Sequence, residues 1–226
     1  MGILSIKTLN RLRYLGRYTK ERFLCYFFIN TNHMEYKSKT YVKENFQNIQ
    51  YLQQNLRDRE YTNCIFKKCI FDNCDLSNSI FIDCLFLDCN LSNTKINNCS
   101  FQEVVFEKCK LLGIRFATID TLLITWIFKE SIITICDFSY LDIKESKFLK
   151  CEMKEVDFIN TNLIGADFNG SSLPLCKFHN TNLEKANFLG ALNYYINPIE
   201  NKLKQAKFSY PDVLSLLDTF EIKIEY

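Results

Sequence analysis

Every fifth residue is large and apolar over two long stretches of this chain, a period that neither an α-helix nor a long β-strand shares. The first stretch runs from Phe66 to Phe116, and the second runs from Leu123 to Phe188 after a step of seven residues. Together they contain 25 such positions, all occupied by Phe, Leu, Ile or Met. Self-similarity at a fixed period is typical of repeat architectures and constrains the fold before local propensities do.

A second position in each unit is also restricted, to small residues. The residue two places before each large apolar centre is Cys, Ser, Thr, Ala or Val in 22 of the 25 units; the exceptions are Ile114, Trp126 and Leu141. Three residues that alternate inward, outward and inward form a very short strand. The two residues that follow are often polar or small, as in Ser77-Asn78, and can turn a corner. A five-residue unit that pairs with copies of itself must therefore wind into a coil.

The length of one coil follows from comparing every fourth centre. One column then contains Phe at nine successive positions: Phe46, Phe66, Phe86, Phe106, Phe128, Phe148, Phe168, Phe188 and Phe208. A second column contains Leu56, Leu76, Ile96, Phe116, Phe138, Phe158 and Phe178. Solenoids stack like residues on like. The sequence thus predicts about eight four-sided coils, a rod about 38 Å long at the usual strand spacing.

These units resemble the pentapeptide-repeat family, and Ala166-Asp167-Phe168-Asn169-Gly170 and Thr181-Asn182-Leu183-Glu184-Lys185 are close matches. The resemblance covers roughly residues 46–208. It implies an all-β fold, a right-handed quadrilateral parallel β-helix, and the right-handed sense is taken from the family. We expect a solenoid over residues 34–208, with clean repeats at 64–190 and a register break near 117–128, followed by a C-terminal cap over 209–226.

Residues 1–33 lack the repeat and carry six basic residues against one acidic residue, Glu21. We expect this basic extension to lie outside the fold. Two interpretations remain open: Met34 is the true first residue, or the segment is a basic amphipathic tether to a membrane or a partner. The first is favoured because Met34 leads directly into the repeat.

The C-terminal segment has the pattern of a short capping helix over about 211–220. Pro211 suits a helix start and Asp212 suits its first turn. Val213, Leu214, Leu217 and Phe220, together with Leu216, form an apolar helical face, and a short strand is expected at 221–225. This helix covers the end of the solenoid in one interpretation. In the other, implied by the resemblance, it also pairs two copies into a homodimer.

The register break contains an unusual residue. Trp126 occupies a slot that is small in other coils, as in Cys84, Val104 and Ser146. Either the backbone bulges and turns Trp126 outward as a candidate partner contact, or the coil distorts locally and takes the indole inside. The second alternative is favoured, with the two extra residues leaving the wall somewhere in 117–128.

The sequence contains few candidate residues for catalysis or for binding a metal or a cofactor. We predict a non-enzymatic protein without a metal or a cofactor. Ten of the 11 cysteines occupy the small inward slot, Cys25 being the exception, which favours packing in a reducing compartment over a metal site or a disulfide framework. The two histidines are His33, before the repeat, and His179, at a corner. No stretch approaches about 18 consecutive apolar residues. We therefore expect a cytoplasmic protein without a membrane span.

The resemblance also bears on function. The size, the central break and the terminal helix are similar to the quinolone-resistance (Qnr) branch of the family, whose rods are proposed to mimic DNA and protect DNA gyrase or topoisomerase IV from inhibitors. Residues 34–226 carry 22 Lys/Arg and 25 Asp/Glu, a net charge of −3, which is weak for a DNA mimic. A passive protein-interaction scaffold is the alternative. Direct nucleic-acid binding is not expected, because the solenoid has no basic stripe with stacking aromatics.

Overall fold

A computed structural model describes residues 39–120, 124, 126–223 and 225 of the chain. It shows a parallel β-solenoid of about eight coils, the quadrilateral β-helix that the repeat predicts. Each coil has four faces, numbered here by their inward centres. Face 1 contains Tyr61, face 2 contains Phe66, face 3 contains Phe71 and face 4 contains Leu76. The basic extension, with Cys25 and His33, lies outside the described residues.

Each strand is two to four residues long and pairs in parallel with the strand one coil away. Face 1 contains β1 (Lys39–Val42), β3 (Arg59–Thr62), β5 (Ile80–Ile82) and β7 (Ser100–Gln102). Face 2 contains β2 (Asn45–Gln47), β4 (Ile65–Lys67), β6 (Leu85–Leu87), β8 (Val104–Glu107), β10 (Trp126–Lys129) and β12 (Lys147–Leu149), and later β14 (Asn187–Phe188) and β15 (Lys207–Phe208). Face 3 contains β9 (Lys110–Leu112), β11 (Ile132–Thr134) and β13 (Glu152–Lys154). Isolated parallel bridges such as Asn55↔Asp75 and Asp137↔Asp157 form face 4.

The core is a set of side-chain stacks that run along the rod. The nine phenylalanines of face 2 lie ring over ring, with neighbouring centroids 4.7 to 5.1 Å apart. Phe116, Phe138, Phe158 and Phe178 form a similar stack on face 4. Rings on opposite faces meet edge to face across the core, as Phe148 on face 2 and Phe158 on face 4 do. Both arrangements are favourable for aromatic pairs, so the 20-residue period places each ring against another ring.

Most corners are turned by the second residue after the centre, which adopts a left-handed backbone, whereas a 3-10 turn over Phe116–Thr118 follows the centre Phe116. Examples are Asn78 at φ 61° and Asn98 at φ 56°. Asparagine tolerates this region better than most residues. At the corner between faces 4 and 1, Asn98 Nδ2 donates to Asn78 Oδ1 at 3.3 Å, and Asn78 Nδ2 donates to Asp58 Oδ1 at 3.0 Å. The polar corner residues thus satisfy one another from coil to coil.

The register break lies between Asp120 and Trp126. Asp120 N–H donates to the Cys99 carbonyl in the same way that Ser100 N–H donates to the Ser79 carbonyl one coil earlier, so the 20-residue period still holds there. Trp126 then pairs with Val104, which is a 22-residue step. The two extra residues therefore fall between Asp120 and Trp126, inside the predicted interval. The expected centre Leu123 lies outside the described residues.

A second irregularity, which the repeat pattern did not predict, occurs in the last coil. Ser172 pairs with Leu192 at the usual distance of 20 residues, Phe178 pairs with Ile196 after only 18, and Asn182 pairs with Lys202 after 20 again. Where the coil is short, Tyr194 fills the inward slot that Cys176 fills one coil earlier. It is buried and packs on Phe188 and Phe208, each with ring centroids 5.6 Å apart.

The terminal helix is present as a 3-10 helix over Asp212–Phe220, close to the predicted range. Its tighter winding places side chains three apart in line, so the apolar face differs from that of an α-helix. Leu216 is the helix residue that packs against the core. The strand expected at 221–225 is absent among its described residues, which are a left-handed cap at Glu221 followed by irregular backbone.

Candidate functional site: the outer surface of the solenoid

The small inward slots carry hydrogen-bond donors as well as small volume. Cys84 Sγ donates to the Tyr61 carbonyl at 3.5 Å, Cys89 Sγ to the Phe66 carbonyl at 3.2 Å and Ser171 Oγ to the Phe148 carbonyl at 2.6 Å. In each case the acceptor belongs to the centre one face back in the preceding coil. Sequence reasoning treated these cysteines as small hydrophobes and missed this role. The shared donor chemistry of Cys, Ser and Thr was the available signal.

Trp126 takes over this bond with a much larger side chain. Its Nε1–H donates to the Phe101 carbonyl at 3.2 Å, the contact that Cys84 makes two coils earlier. The indole packs edge to face on Phe101 and Phe128 and is 0% exposed. The candidate partner contact at Trp126 is therefore corrected, because a fully enclosed indole offers no surface to a partner. The favoured alternative, in which the coil takes the indole inside, matches the structure.

The ten cysteines of the repeat are all free and buried. Burial raises the pKa of the Cys84, Cys136 and Cys151 thiols from 9.0 to about 12, because a thiolate would lose its hydration. Nucleophilic and metal-binding cysteines act as thiolates. Within the described ranges, no group of three or more His, Cys, Asp or Glu is placed to hold a metal ion. These thiols are packing and hydrogen-bonding groups.

His179 lies on the surface at its corner, as the repeat predicts. Its Nδ1 lies 2.9 Å from Glu200 Oε2, and its side chain is 61% exposed. An exposed imidazole paired with one carboxylate has neither the burial nor the neighbouring nucleophile of a catalytic pair. In the part of the chain that the structure describes, no helix is long and apolar enough to cross a membrane.

The outward positions of face 2 differ from those of the other faces. Ile65, Leu85, Val105 and Ile127 lie in register on four successive strands and form what we call the aliphatic ladder. Ile65 is 40% exposed and the other three are half-buried by their neighbours. Among the described outward positions of faces 1, 3 and 4, aliphatic residues such as Ile80 and Ile132 occur singly between polar ones.

The two edges of the aliphatic ladder carry different charges. The corner toward face 3 alternates Lys68, Asp88, Lys108 and Glu130, and Lys108 Nζ lies 3.9 Å from Glu130 Oε2. The corner toward face 1 carries Asp83 and Glu103, one coil apart, which we call the carboxylate pair. The hydrogen bond and the repulsion between them raise the pKa of the Glu103 carboxyl. Neither carboxylate has a cationic partner among the described side chains.

The predicted cap residues are spread around the terminal helix. Val213, Leu214 and Leu217 are half-buried, whereas Phe220 is 50% exposed. Beside the helix is an open cavity of about 460 Å³, lined by Asn193, Tyr194, Pro211, Asp212, Leu214, Ser215 and Asp218. The cap thus closes the last coil through Leu216 and leaves Phe220, Ile222 and Tyr210 at the surface.

Comparison with known families agrees with this geometry. The profile described as pentapeptide repeat region matches residues 59–125, and the profile described as pentapeptide repeats (8 copies) matches 136–173 and 151–190. Together they cover just over half of the chain. This chain is a pentapeptide-repeat protein. The gap between the two matched regions, residues 126–135, follows the register break directly.

A solved pentapeptide-repeat structure shares the fold at low sequence identity. A trypsin-treated variant of QnrB1, a plasmid-mediated fluoroquinolone resistance protein, is 17% identical with a TM-score of 0.56, and the alignment covers 84% of this chain and 100% of QnrB1. HetL, a pentapeptide repeat protein involved in heterocyst differentiation regulation from the cyanobacterium Nostoc sp. strain PCC 7120, is 8% identical with a TM-score of 0.49, covering 75% and 87%. No curated protein sequence matches this chain. Pentapeptide-repeat proteins are generally structural or binding proteins, so the outer surface is the place to look for function.

Proposed function

We propose that this pentapeptide-repeat protein is a non-enzymatic, cytoplasmic binding protein that engages a type II topoisomerase, DNA gyrase or topoisomerase IV, and protects it from an inhibitor. The observation that carries the proposal is the superposition of the solenoid on the whole length of a fluoroquinolone resistance protein. The central register break and the capped C-terminus are consistent with it. Fold alone does not determine function, so the proposal depends on the test below.

The charges on the outer surface bear on how the topoisomerase would be recognised. Outward residues on face 4 carry charges of both signs, in the order Asp75, Lys95, Arg115, Asp137, Asp157 and Lys177. Several opposite charges pair across coils, such as Lys177 with Asp157 at 3.1 Å. A DNA mimic needs a continuous acidic surface to satisfy a basic groove. We therefore propose recognition by shape and local contacts, with a shallow dependence on salt.

The test is expression of the full chain in a susceptible bacterium, followed by measurement of the inhibitory concentrations of a fluoroquinolone and of a gyrase-targeting peptide toxin. The expected result is a several-fold rise for at least one of them, relative to an empty vector. Purified protein should also preserve gyrase supercoiling in the presence of the drug, with little change as potassium chloride is raised. Unchanged values for both inhibitors, with soluble folded protein present, would favour the passive scaffold.

A further inference from the structure

The aliphatic ladder consists of apolar residues at outward positions, where polar residues are expected. In a solenoid with one buried side, outward residues face water and are ordinarily polar. Here four consecutive rungs on one face are Ile, Leu, Val and Ile, and no other described outward column places even two aliphatic residues together. Contiguous exposed apolar surface with a polar rim commonly marks a protein-binding site. The six-stranded sheet beneath the ladder places its side chains in one line, because they are in register on successive strands.

The spacing of the rungs suits one kind of secondary structure. Strands in a sheet lie about 4.8 Å apart, so the four rungs span about 14 Å. An α-helix laid along the rod presents its apolar side chains about every 5.4 Å, once per turn. About ten helical residues would therefore cover the whole ladder with three or four apolar side chains.

The charged residues along the two edges of the ladder indicate which charge a bound helix should carry. The edge toward face 3 is already balanced, because its lysines and carboxylates alternate and Lys129 Nζ also lies 2.8 Å from Glu107 Oε1. The edge toward face 1 carries the carboxylate pair, Asp83 and Glu103, and neither carboxylate forms an ion pair with a described side chain. Like charges one coil apart repel, and a cation between them would relieve that repulsion.

We propose that the aliphatic ladder and the carboxylate pair form a docking site for an amphipathic helix of a protein partner that carries lysine or arginine along one edge of its apolar face. A second copy of this chain is a poorer occupant. Two ladders packed antiparallel would bring Asp83 of one copy against Glu103 of the other and double the repulsion. The proposal does not depend on the partner being a topoisomerase, so failure of inhibitor protection leaves it standing.

The experiment uses the full chain and two labelled helical peptides of about 16 residues, each with leucine every third or fourth position. One peptide carries lysines along one edge of the leucine face, and the other carries glutamates at the same positions. Fluorescence anisotropy should show the lysine peptide binding at least about tenfold more tightly. Equal affinity for both peptides, or binding of neither, overturns the proposal.

Two pairs of matched variants locate the site. Ile127→Lys on the ladder should abolish binding, whereas Ile132→Lys makes the same change at an outward position of face 3 in the same coil and should not. The double variant Asp83→Asn/Glu103→Gln should remove most of the preference for the lysine peptide, whereas Asp88→Asn on the opposite edge should leave it. Sedimentation of each protein alone adds a further check. Self-association that Ile127→Lys removes would assign the ladder to a second copy and overturn the proposal.

Discussion

At the scale of single residues, the inward slot of each unit is defined by a hydrogen bond as much as by volume. Cysteine, serine and threonine all reach the carbonyl of the preceding coil. Trp126 keeps that bond while adding the bulk of an indole. Buried donors and acceptors are costly to leave unpaired, so this contact explains why a side chain as large as tryptophan is compatible with a slot that is otherwise small.

Trp126 is the only tryptophan in the chain, so its environment can be observed directly. We expect blue-shifted fluorescence emission that acrylamide does not quench, because the indole is 0% exposed. Trp126→Ala should lower the free energy of unfolding by about 3 to 5 kcal/mol, through lost burial and the cavity left behind. Urea denaturation followed by circular dichroism measures this loss. Emission typical of an exposed indole would contradict the inward placement.

The buried thiols should make stability depend on alkaline pH. The pKa of Cys151 is raised from 9.0 to about 12 in the folded chain, so folding favours the protonated thiol. Its contribution is fully present below pH 9.0 and is lost as pH rises toward about 12. Urea midpoints at increasing alkaline pH should therefore fall. Tyr61 and Tyr194, whose pKa values burial also raises to about 12, act in the same direction.

The variant Cys151→Ser isolates the thiol contribution, because Ser131 and Ser171 occupy the same slot in the coils on either side. Serine does not ionise in this range, so the variant should lose less stability than the wild type over the same pH interval. An equal loss in both proteins would show that Cys151 ionises as readily in the folded chain as in the unfolded one.

At the scale of elements, the 20-residue period is interrupted twice, and the two interruptions have opposite signs. Between Asp120 and Trp126 the period grows by two residues, and the larger period lasts for only that coil. In the last coil it loses two residues and regains them before Lys202. Both irregularities coincide with a large aromatic residue in a small slot, Trp126 in one case and Tyr194 in the other. Parallel pairing tolerates such changes where they fall between strands.

We expect different residues of the terminal helix to cap the last coil and to pair two copies of the chain. Leu216 packs against the core, so Leu216→Ala should lower the free energy of unfolding by about 2 kcal/mol. Phe220 is 50% exposed, so Phe220→Glu should leave stability unchanged and convert a homodimer into a monomer. Charged substitution at Leu217 is expected to have the same effect on association. Sedimentation at tens of micromolar, where weak dimers persist, measures it, and a monomeric wild type would contradict pairing through the cap.

At the scale of the whole molecule, stability is distributed along the rod because each coil pairs with the coils directly before and after it. Lys43 N–H donates to the Thr62 carbonyl, and Lys185 N–H donates to the Lys204 carbonyl in the same way, so the same contact recurs from the first described coil to the last. A ligand that bridges several coils, as the proposed helix would across four, therefore stabilises a longer part of the rod than one coil does alone.

Residues 1–33 are expected to contribute little to this stability, because they contain no five-residue column of apolar centres. A chain that starts at Met34 should keep its melting temperature within about 2 °C, a shift no larger than the effect of losing about 1 kcal/mol in a domain of this size. Thermal unfolding followed by circular dichroism tests this. A fall of about 10 °C would mean that the segment is an integral part of the fold.

Much of this architecture is encoded in the spacing of a few residue types. Neighbouring residues of a unit face inward and outward in turn, which orients the side chains. The 20-residue recurrence of Phe46, Phe66 and Phe86 determines the size of a coil. Both are periodicities of the amino-acid sequence, so they can be read without knowing the tertiary structure. The aliphatic ladder recurs with the same period and was open to the same reading. The five-residue pattern constrains only the inward positions, so it gave no expectation for the residues of an outward column.

Other features depended on how the coils stack. The position of Trp126 followed from its pairing with Val104, since a slot is inward or outward only relative to its neighbours. The shortened last coil and the burial of Tyr194 likewise follow from pairing with the coil before. The pairing of Glu103 with Asp83, and the balance of charge on the opposite edge, arise from side chains 20 residues apart in the chain and one strand spacing apart in space. The repeat could specify which residues face inward and how long a coil is, whereas contacts between coils decided where the period is interrupted and which surfaces remain free.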